Sequence, residues 1–336
     1  MPLRLQDGGT RLRLRRSNIR APGISRRRHG TGFSYRHPDG SKLSGDELRR
    51  VKALAVPPAW SDVWISPAEN GHIQAAGTDD AGRRQYIYHP RWRELRDREK
   101  FERALAFGRT LTAARRRVTL LLRSGDTTPE VACAAAFRLL DSASLRIGSD
   151  VYAEDNGSYG VTTLLVRHVL VHEDTIKLDF PGKSGLQWDV EVKDPDLAAW
   201  LAMARGKQAD DPAVGYRNDD GSWSGLAASE LNDFIHGLCG QDFSAKDFRT
   251  WQGTVAAAVE LARYDGKPGI TARRKAVVAA IKAVAERLGN TPAIARSSYV
   301  DPRLVDRFMD GQIPDAVTYS AAERSLPSFL GNEEQK

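Results

Sequence analysis

Five side chains could act together on an anionic group: Arg146 in SLRIGSDVY, Lys183 in FPGKSG, Arg249 in KDFRTW, and Asn290 and Tyr299, nine residues apart in LGNTPAIARSSYVDP. Guanidiniums offer planar, charged forks to oxyanions, and a phenol becomes a nucleophile once its proton is lost. Singly, each has a plainer explanation. An arginine near a helix C-terminus complements the helix dipole, a lysine in a turn is usually solvated, and a tyrosine in an amphipathic segment is usually half-buried packing. Other chemistries lack their motifs. The Gly182-Lys183-Ser184 triplet resembles the end of a phosphate-binding loop, but Lys177 stands where that loop needs its first glycine. In HGTG, at 29–32, Tyr35 replaces the third glycine of a dinucleotide fingerprint. No GxSxG, HExxH or CxxC occurs, so a serine triad or a zinc-bound water has no visible support.

The elements that must carry these residues follow from local patterns. Nine arginines through Arg28 face one acid, Asp7, without apolar periodicity, which predicts a disordered, phosphate-seeking arm. From about Gly30 to Pro90, turn signals alternate with short β-prone runs, giving a small β-rich domain with a short helix near Gly45 to Leu54. Helical texture follows Pro90. Thr127-Thr128-Pro129-Glu130 reads as a helix start, and the apolar run behind it predicts a helix to Arg146 that stops at Gly148. Thr175 to Phe180 and Leu186 to Val192 flank Pro181-Gly182-Lys183-Ser184-Gly185, a hairpin with a lysine at its tip. Val277, Ile281, Val284 and Leu288 form a helical stripe that Gly289 terminates.

Composition sets the frame. The 336 residues suggest two or three domains, and 41% apolar with 28% charged residues is ordinary for a globular chain. Fifty basic against 43 acidic residues leave +7, which favours a polyanionic partner. Two cysteines, Cys133 and Cys239, cannot build a disulfide framework, as expected in a reducing cytosol. No apolar run approaches the ~18 residues of a membrane span, and the basic start lacks a signal peptide's apolar block. The expected setting is cytoplasmic and nucleoid-associated.

The order and spacing of the five residues resemble the catalytic series of type IB DNA topoisomerases, in particular the poxvirus-like bacterial group. The resemblance runs from about Gly23 to Phe308 and includes YGVTTL at 159–164, FPGKSG and GRRQYIYHP. It implies an α+β fold: a β-rich DNA-clamp domain at 23–98 after a basic arm at 1–22, then a larger, mainly helical catalytic domain with a small sheet at 99–336. It implies that Tyr299 attacks a DNA phosphorus and forms a 3′-phosphotyrosyl ester, while Arg146 and Arg249 stabilise the charged transition state. Lys183 would be the general acid, and Asn290 would hydrogen-bond a nonbridging oxygen. Histidine often fills that last place in the family; an amide donates a hydrogen bond without adding charge. Gln85, Tyr86, Tyr88 and Tyr152 resemble the family's DNA contacts, and Ser149 stands where a poxvirus member has lysine. Arg83 and Arg84 join the expected DNA contacts, with Arg91, Arg115, Arg116 and Arg117 as further phosphate partners.

Exchange of phosphodiesters is nearly isoenergetic, so ATP is not expected, and with no metal-ligand set visible in the sequence no obligatory metal is expected either. A monomer acting on duplex DNA, with no membrane association, should relax positive and negative supercoils. The rival readings are a tyrosine recombinase and a noncatalytic DNA-binding relative. The recombinase class typically has HxxR where this chain has Lys246-Asp247-Phe248-Arg249, and its N-terminal domain is usually helical.

Overall fold

A computed structural model describes residues 13–149, 153, 157–204, 208–264 and 269–331, with Ser184 described only in its backbone. The chain separates into two units, residues 1–99 and 100–336.

In the first unit, β1 (Ile24–His29), β2 (Gly32–Arg36), β3 (Ser61–Ile65), β4 (Ile73–Thr78) and β5 (Arg84–Tyr88) form an antiparallel sheet in the order β2-β1-β3-β4-β5. Helix α1 (Gly45–Ala53) contributes Val51 to a small core with Ile24, Leu43, Val56, Ile65 and Ala75. On β5 the pleat places Ile87 against that core while Tyr86 and Tyr88 stack with ring centroids 6.0 Å apart, each 37% exposed. Gln85 has the parity of Ile87 rather than of the tyrosines, and its amide donates to Asp79 Oδ2 at 2.9 Å. Arg83 also binds Asp79, and Arg84 donates to Asp62 O at 3.0 Å.

The expected free arm is corrected where the chain is described. Leu14 is buried, Arg15 bridges in parallel to Gly71, and Ser17 N–H donates to His72 Nδ1 at 2.8 Å. Arg26, Arg27 and Arg28 belong to β1, and Arg26 is held by the carbonyls of Val56, Pro57 and Trp60. Backbone pairing and carbonyl acceptors thus order a stretch whose composition alone reads as disordered.

The division between the units falls within α2 (Pro90–Leu122). The second unit is built on α3 (Pro129–Ala143) and α6 (Ala245–Ala262), with α4 (Pro195–Ala204), α5 (Ala228–Cys239), α7 (Ile270–Leu288), α8 (Pro292–Ser298), α9 (Pro302–Met309) and α10 (Tyr319–Leu330) around them. β6 (Val169–His172), β7 (Thr175–Pro181) and β8 (Gln187–Lys193) form an antiparallel sheet, and β9 (Gly215–Arg217) pairs with β10 (Trp223–Gly225). Small residues let helices approach closely. A Cβ on Gly108 of α2 would lie 2.6 Å from the Trp251 ring of α6. No helix among the described residues is long and apolar enough to cross a membrane.

Helix α3 starts as its Thr-Pro signal predicts, with Thr128 capping Val131 N–H, but it ends at Ala143 rather than near Arg146. Ser144 turns into the left-handed region at φ 56°, so Arg146 leaves the helix axis and is not a dipole-complementing residue. Arg115, expected to meet phosphate, is committed elsewhere. Its guanidinium is bidentate to Asp141 (2.7 and 2.8 Å) and to Glu323 (2.6 and 2.7 Å), tying α2 to α3 and α10. Arg117 pairs with Glu130, and Arg91 with Glu94.

Removing the Arg115 side chain strands two partly buried carboxylates. Arg115→Ala should lose about 2–3 kcal/mol in urea unfolding. A loss no larger than that of an exposed-arginine control such as Arg116→Ala would refute this account.

Candidate active site

Arg249 lies one turn into α6, on a helix buried almost all round, and is itself only 3% exposed. Its Nη1 donates to Ser144 O, just beyond α3, and its Nη2 donates to Leu288 O at the end of α7 at 2.5 Å. Its Nε is buried without a hydrogen-bond partner, and no carboxylate pairs with it among the described residues. Burial pushes the guanidinium down to about 10, with the like charge of Arg146 adding to the effect. The site therefore holds a buried cation whose charge no carboxylate among the described residues neutralises.

Arg146 follows the left-handed turn at Ser144 and donates through Nη2 to Asn290 Oδ1 at 3.0 Å. Its backbone is clamped by the YGVTTL segment: Val161 N–H donates to Arg146 O at 2.9 Å and Thr162 N–H to Ile147 O at 2.8 Å. Gly160 permits this approach, since a Cβ there would lie 2.7 Å from Arg146 O. Asn290 also donates through Nδ2 to Leu288 O at 3.1 Å, the same carbonyl that Arg249 uses. Its amide thus orients Arg146, a duty beyond the phosphate contact implied by the resemblance.

Tyr299 caps the C-terminus of α8, with its N–H donating to Ala295 O at 3.0 Å. Its ring centroid lies 5.3 Å from Arg249 Cζ. Burial alone would raise the phenol, but the charge of Arg249, with polar contacts from Arg146 and Arg249, outweighs burial and holds it below the ordinary 10.0. More phenolate is therefore present at a given pH than for a free tyrosine.

Four of the five residues thus converge: Arg146, Arg249, Asn290 and Tyr299. Lys183 is exposed at the tip between β7 and β8, without an ion pair among the described residues. The root of that hairpin is fixed near the others. Pro181 O accepts from Tyr159 N–H at 2.9 Å, and Leu186 and Trp188 pack on Gly289, beside Asn290. Tyr152 lies outside the described residues. Among the described residues no group of three or more His, Cys, Asp or Glu could hold a metal ion.

Sequence reasoning missed the floor under Tyr299. Gly253, four residues after Arg249 on α6, lets the chain of Tyr299 pass so close that a Cβ would lie 2.6 Å from Tyr299 O and 2.8 Å from its Cβ. A glycine inside an otherwise strong helical run, TWQGTVAAAVE, was the available signal. Gly253→Ala should destabilise the protein by about 1–3 kcal/mol through overpacking. Gly237→Ala on α5, where a Cβ meets nothing within 4 Å, should instead stabilise it, by about 0.5–1 kcal/mol. Thermal and urea unfolding of both variants test the contrast, and equal shifts would contradict it.

Comparison with known proteins bears on the same residues. Residues 89–310, which include Arg146, Lys183, Arg249, Asn290 and Tyr299, match the family described as eukaryotic DNA topoisomerase I, catalytic core. Residues 32–79 match the family described as bacterial DNA topoisomerase IB, N-terminal domain. The chain is 28% identical over 286 residues to DNA topoisomerase 1B of Acanthamoeba polyphaga mimivirus, covering 83% of this chain and 85% of the viral protein. It is 29% identical over 176 residues to DNA topoisomerase 1 of Mycosarcoma maydis, covering 47% of this chain and 17% of the fungal protein. With a catalytic-core match over the converging residues and a bacterial N-terminal match before it, the chain belongs to the type IB DNA topoisomerase family.

Proposed function

We propose that this enzyme relaxes positively and negatively supercoiled duplex DNA, as a monomer, by transient cleavage of one strand. The observation that carries the reading is a buried Arg249, without a carboxylate partner among the described residues, beside a phenol held below its ordinary pKa. A buried cation without a counter-charge is costly, and a phosphodiester entering the site would supply that charge.

The phenolate oxygen of Tyr299 attacks the phosphorus. A Tyr299 O–P bond forms as the P–O5′ bond breaks, leaving DNA attached through its 3′ phosphate and freeing a 5′ oxygen. Arg146 and Arg249 donate to the nonbridging oxygens, where charge accumulates in the trigonal-bipyramidal transition state. Asn290 aligns Arg146 and adds a neutral donor. Lys183, exposed at the hairpin tip, gives a proton to the departing 5′ oxygen. After the free end rotates, the 5′ hydroxyl attacks the phosphotyrosine, returns its proton and restores the strand. The phosphodiester energy is conserved in the ester, and torsional strain sets the direction, so neither ATP nor a metal has a step to perform. The stacked, exposed Tyr86 and Tyr88 and the neighbouring Arg83 and Arg84 are assigned to DNA binding; Gln85, turned toward Asp79, joins them only if it exchanges that partner.

Relaxation of supercoiled plasmid in chelator without ATP, stopped with denaturant, should trap one nicked strand joined to Tyr299 through its 3′ end. Tyr299→Phe should bind DNA and neither nick nor relax it. Turnover by that variant, or a requirement for a divalent ion, would overturn the reading.

Lys183→Ala should slow strand cleavage by roughly 100- to 10,000-fold, the usual worth of a general acid. A substrate with a 5′-thio leaving group, which departs without a proton, should recover most of that loss. An unrescued variant would remove proton donation from Lys183.

A further inference from the structure

The backbone beneath the nucleophile is gripped by a side chain outside the five-residue series. Thr254 follows Gly253 on α6 and is 2% exposed. Its Oγ1 donates to Tyr299 O at 3.2 Å and accepts from Asp301 N–H at 3.1 Å, so one hydroxyl joins the peptide groups on either side of the buried Val300. Thr250 O, at 3.3 Å, is the alternative acceptor on its own helix. A hydroxyl has one proton to give, so donation to Tyr299 O competes with that internal bond.

Asp301 continues the grip. Its carboxylate is 1% exposed, caps α9 through Arg303 N–H at 2.9 Å, and takes Arg303 Nη2 at 2.7 Å. Arg303 in turn reaches Glu102 of α2 and Leu330 O at the end of α10. The link from α8 to α9 is thereby fixed to three other helices, while the Tyr299 ring is left beside Arg249.

We propose that the Thr254 hydroxyl is a positioning group for Tyr299, holding the nucleophile's backbone in register with Arg249 through both strand cleavage and religation. The proposal rests on the covalent function argued above. In-line attack tolerates little displacement, and misplacement by about 1 Å costs about 100-fold in rate. Arg249, Gly253 and Thr254 share one stretch of α6, so a single rigid helix fixes the cation, the clearance for the tyrosine backbone and the hydrogen bond that seats it. During strand rotation Tyr299 is the only covalent tether between protein and DNA, and load on the phenol passes to this same link.

Thr254→Val keeps the side-chain shape and leaves Tyr299 O and Asp301 N–H without their shared partner; Thr254→Ser keeps the hydroxyl. Single-turnover cleavage and religation of a short duplex, with equilibrium binding of uncleaved DNA and melting temperature, separate the possibilities. The valine variant should cleave and religate roughly 10- to 100-fold more slowly while binding DNA as the unmodified enzyme does, and serine should restore both rates. The pH profile adds a readout that a general loss of stability would not move. In the unmodified enzyme, cleavage should level off below pH 10, because the phenol is held under its ordinary value. In the valine variant that limb should move upward as the phenol drifts from Arg249 and Arg146.

Should the valine variant fail to fold, Thr254→Cys, with a weakly bonding thiol of similar size, takes its place. A valine or cysteine variant with undiminished rates and an unmoved limb overturns the proposal, as does a serine variant as slow as valine, which would assign the effect to the methyl group. If the unmodified enzyme forms no adduct through Tyr299, the functional reading fails first, and this proposal with it.

Discussion

The second unit depends on holding a charged guanidinium in its interior with no carboxylate among the described residues to neutralise it. Arg249 is buried between Ser144 O, just past α3, and Leu288 O, at the end of α7. Carbonyls near helix C-termini are unsatisfied within their own helices and carry roughly half a negative charge per helix end. They are sufficient to seat a cation and insufficient to cancel it. Gln252, three residues after Arg249, extends the arrangement by donating to the carbonyls of Leu140 and Asp141 near the same end of α3. Tyr299 sits at a third helix C-terminus, that of α8. Where a carboxylate would have filled the guanidinium's fork, helix ends leave it able to meet an incoming anion.

This arrangement explains features that otherwise look incidental. The left-handed turn at Ser144 exposes the carbonyl that Arg249 uses and redirects the chain so that Arg146 enters the site from the side. Gly160 and Gly148 let the YGVTTL segment close on Arg146; the former has no room for a side chain, and the latter has φ 103°. Leu288 O serves Arg249 and Asn290 together, so the end of α7 sets the distance between the two arginine sites. The catalytic candidates are thus coupled through a shared backbone carbonyl and the direct Arg146–Asn290 hydrogen bond, as well as through the charges of the two arginines.

Much of this was legible in the sequence, and what escaped did so for physical reasons. The Thr128-Pro129 start, the PGKSG hairpin and the Gly289 stop are local signals read from a few neighbouring residues, and the fold contains each. Helix α3 ends earlier than its sequence pattern predicts because Ser144 is not a glycine, so nothing local announces a positive φ. Local composition predicts a free arm because the β-pairing of Arg15 with Gly71 depends on a partner more than 50 residues away. Arg115 looked like surface charge until α3 and α10 brought Asp141 and Glu323 to it. The convergence of Arg146, Arg249, Asn290 and Tyr299 spans 153 residues, and only the resemblance to a family made it expected. Gly253 and Thr254 belong to no sequence motif, since their place is defined by the backbone of Tyr299 passing over them.

The exposed place of Lys183 then fits the division of labour. Transition-state stabilisation rewards donors that are fixed before the reaction, because they need no reorganisation as charge develops. A general acid has a different requirement: it must reach a leaving oxygen that departs, rotates with its strand and returns. Under the proposed mechanism, a buried Arg249, a half-buried Arg146 and an exposed Lys183 on a hairpin whose root is anchored beside Gly289 would meet both demands within one unit. In the proposed mechanism, the hydrogen-bonded guanidiniums would define where the phosphorus sits, and the exposed lysine would follow the DNA end that moves.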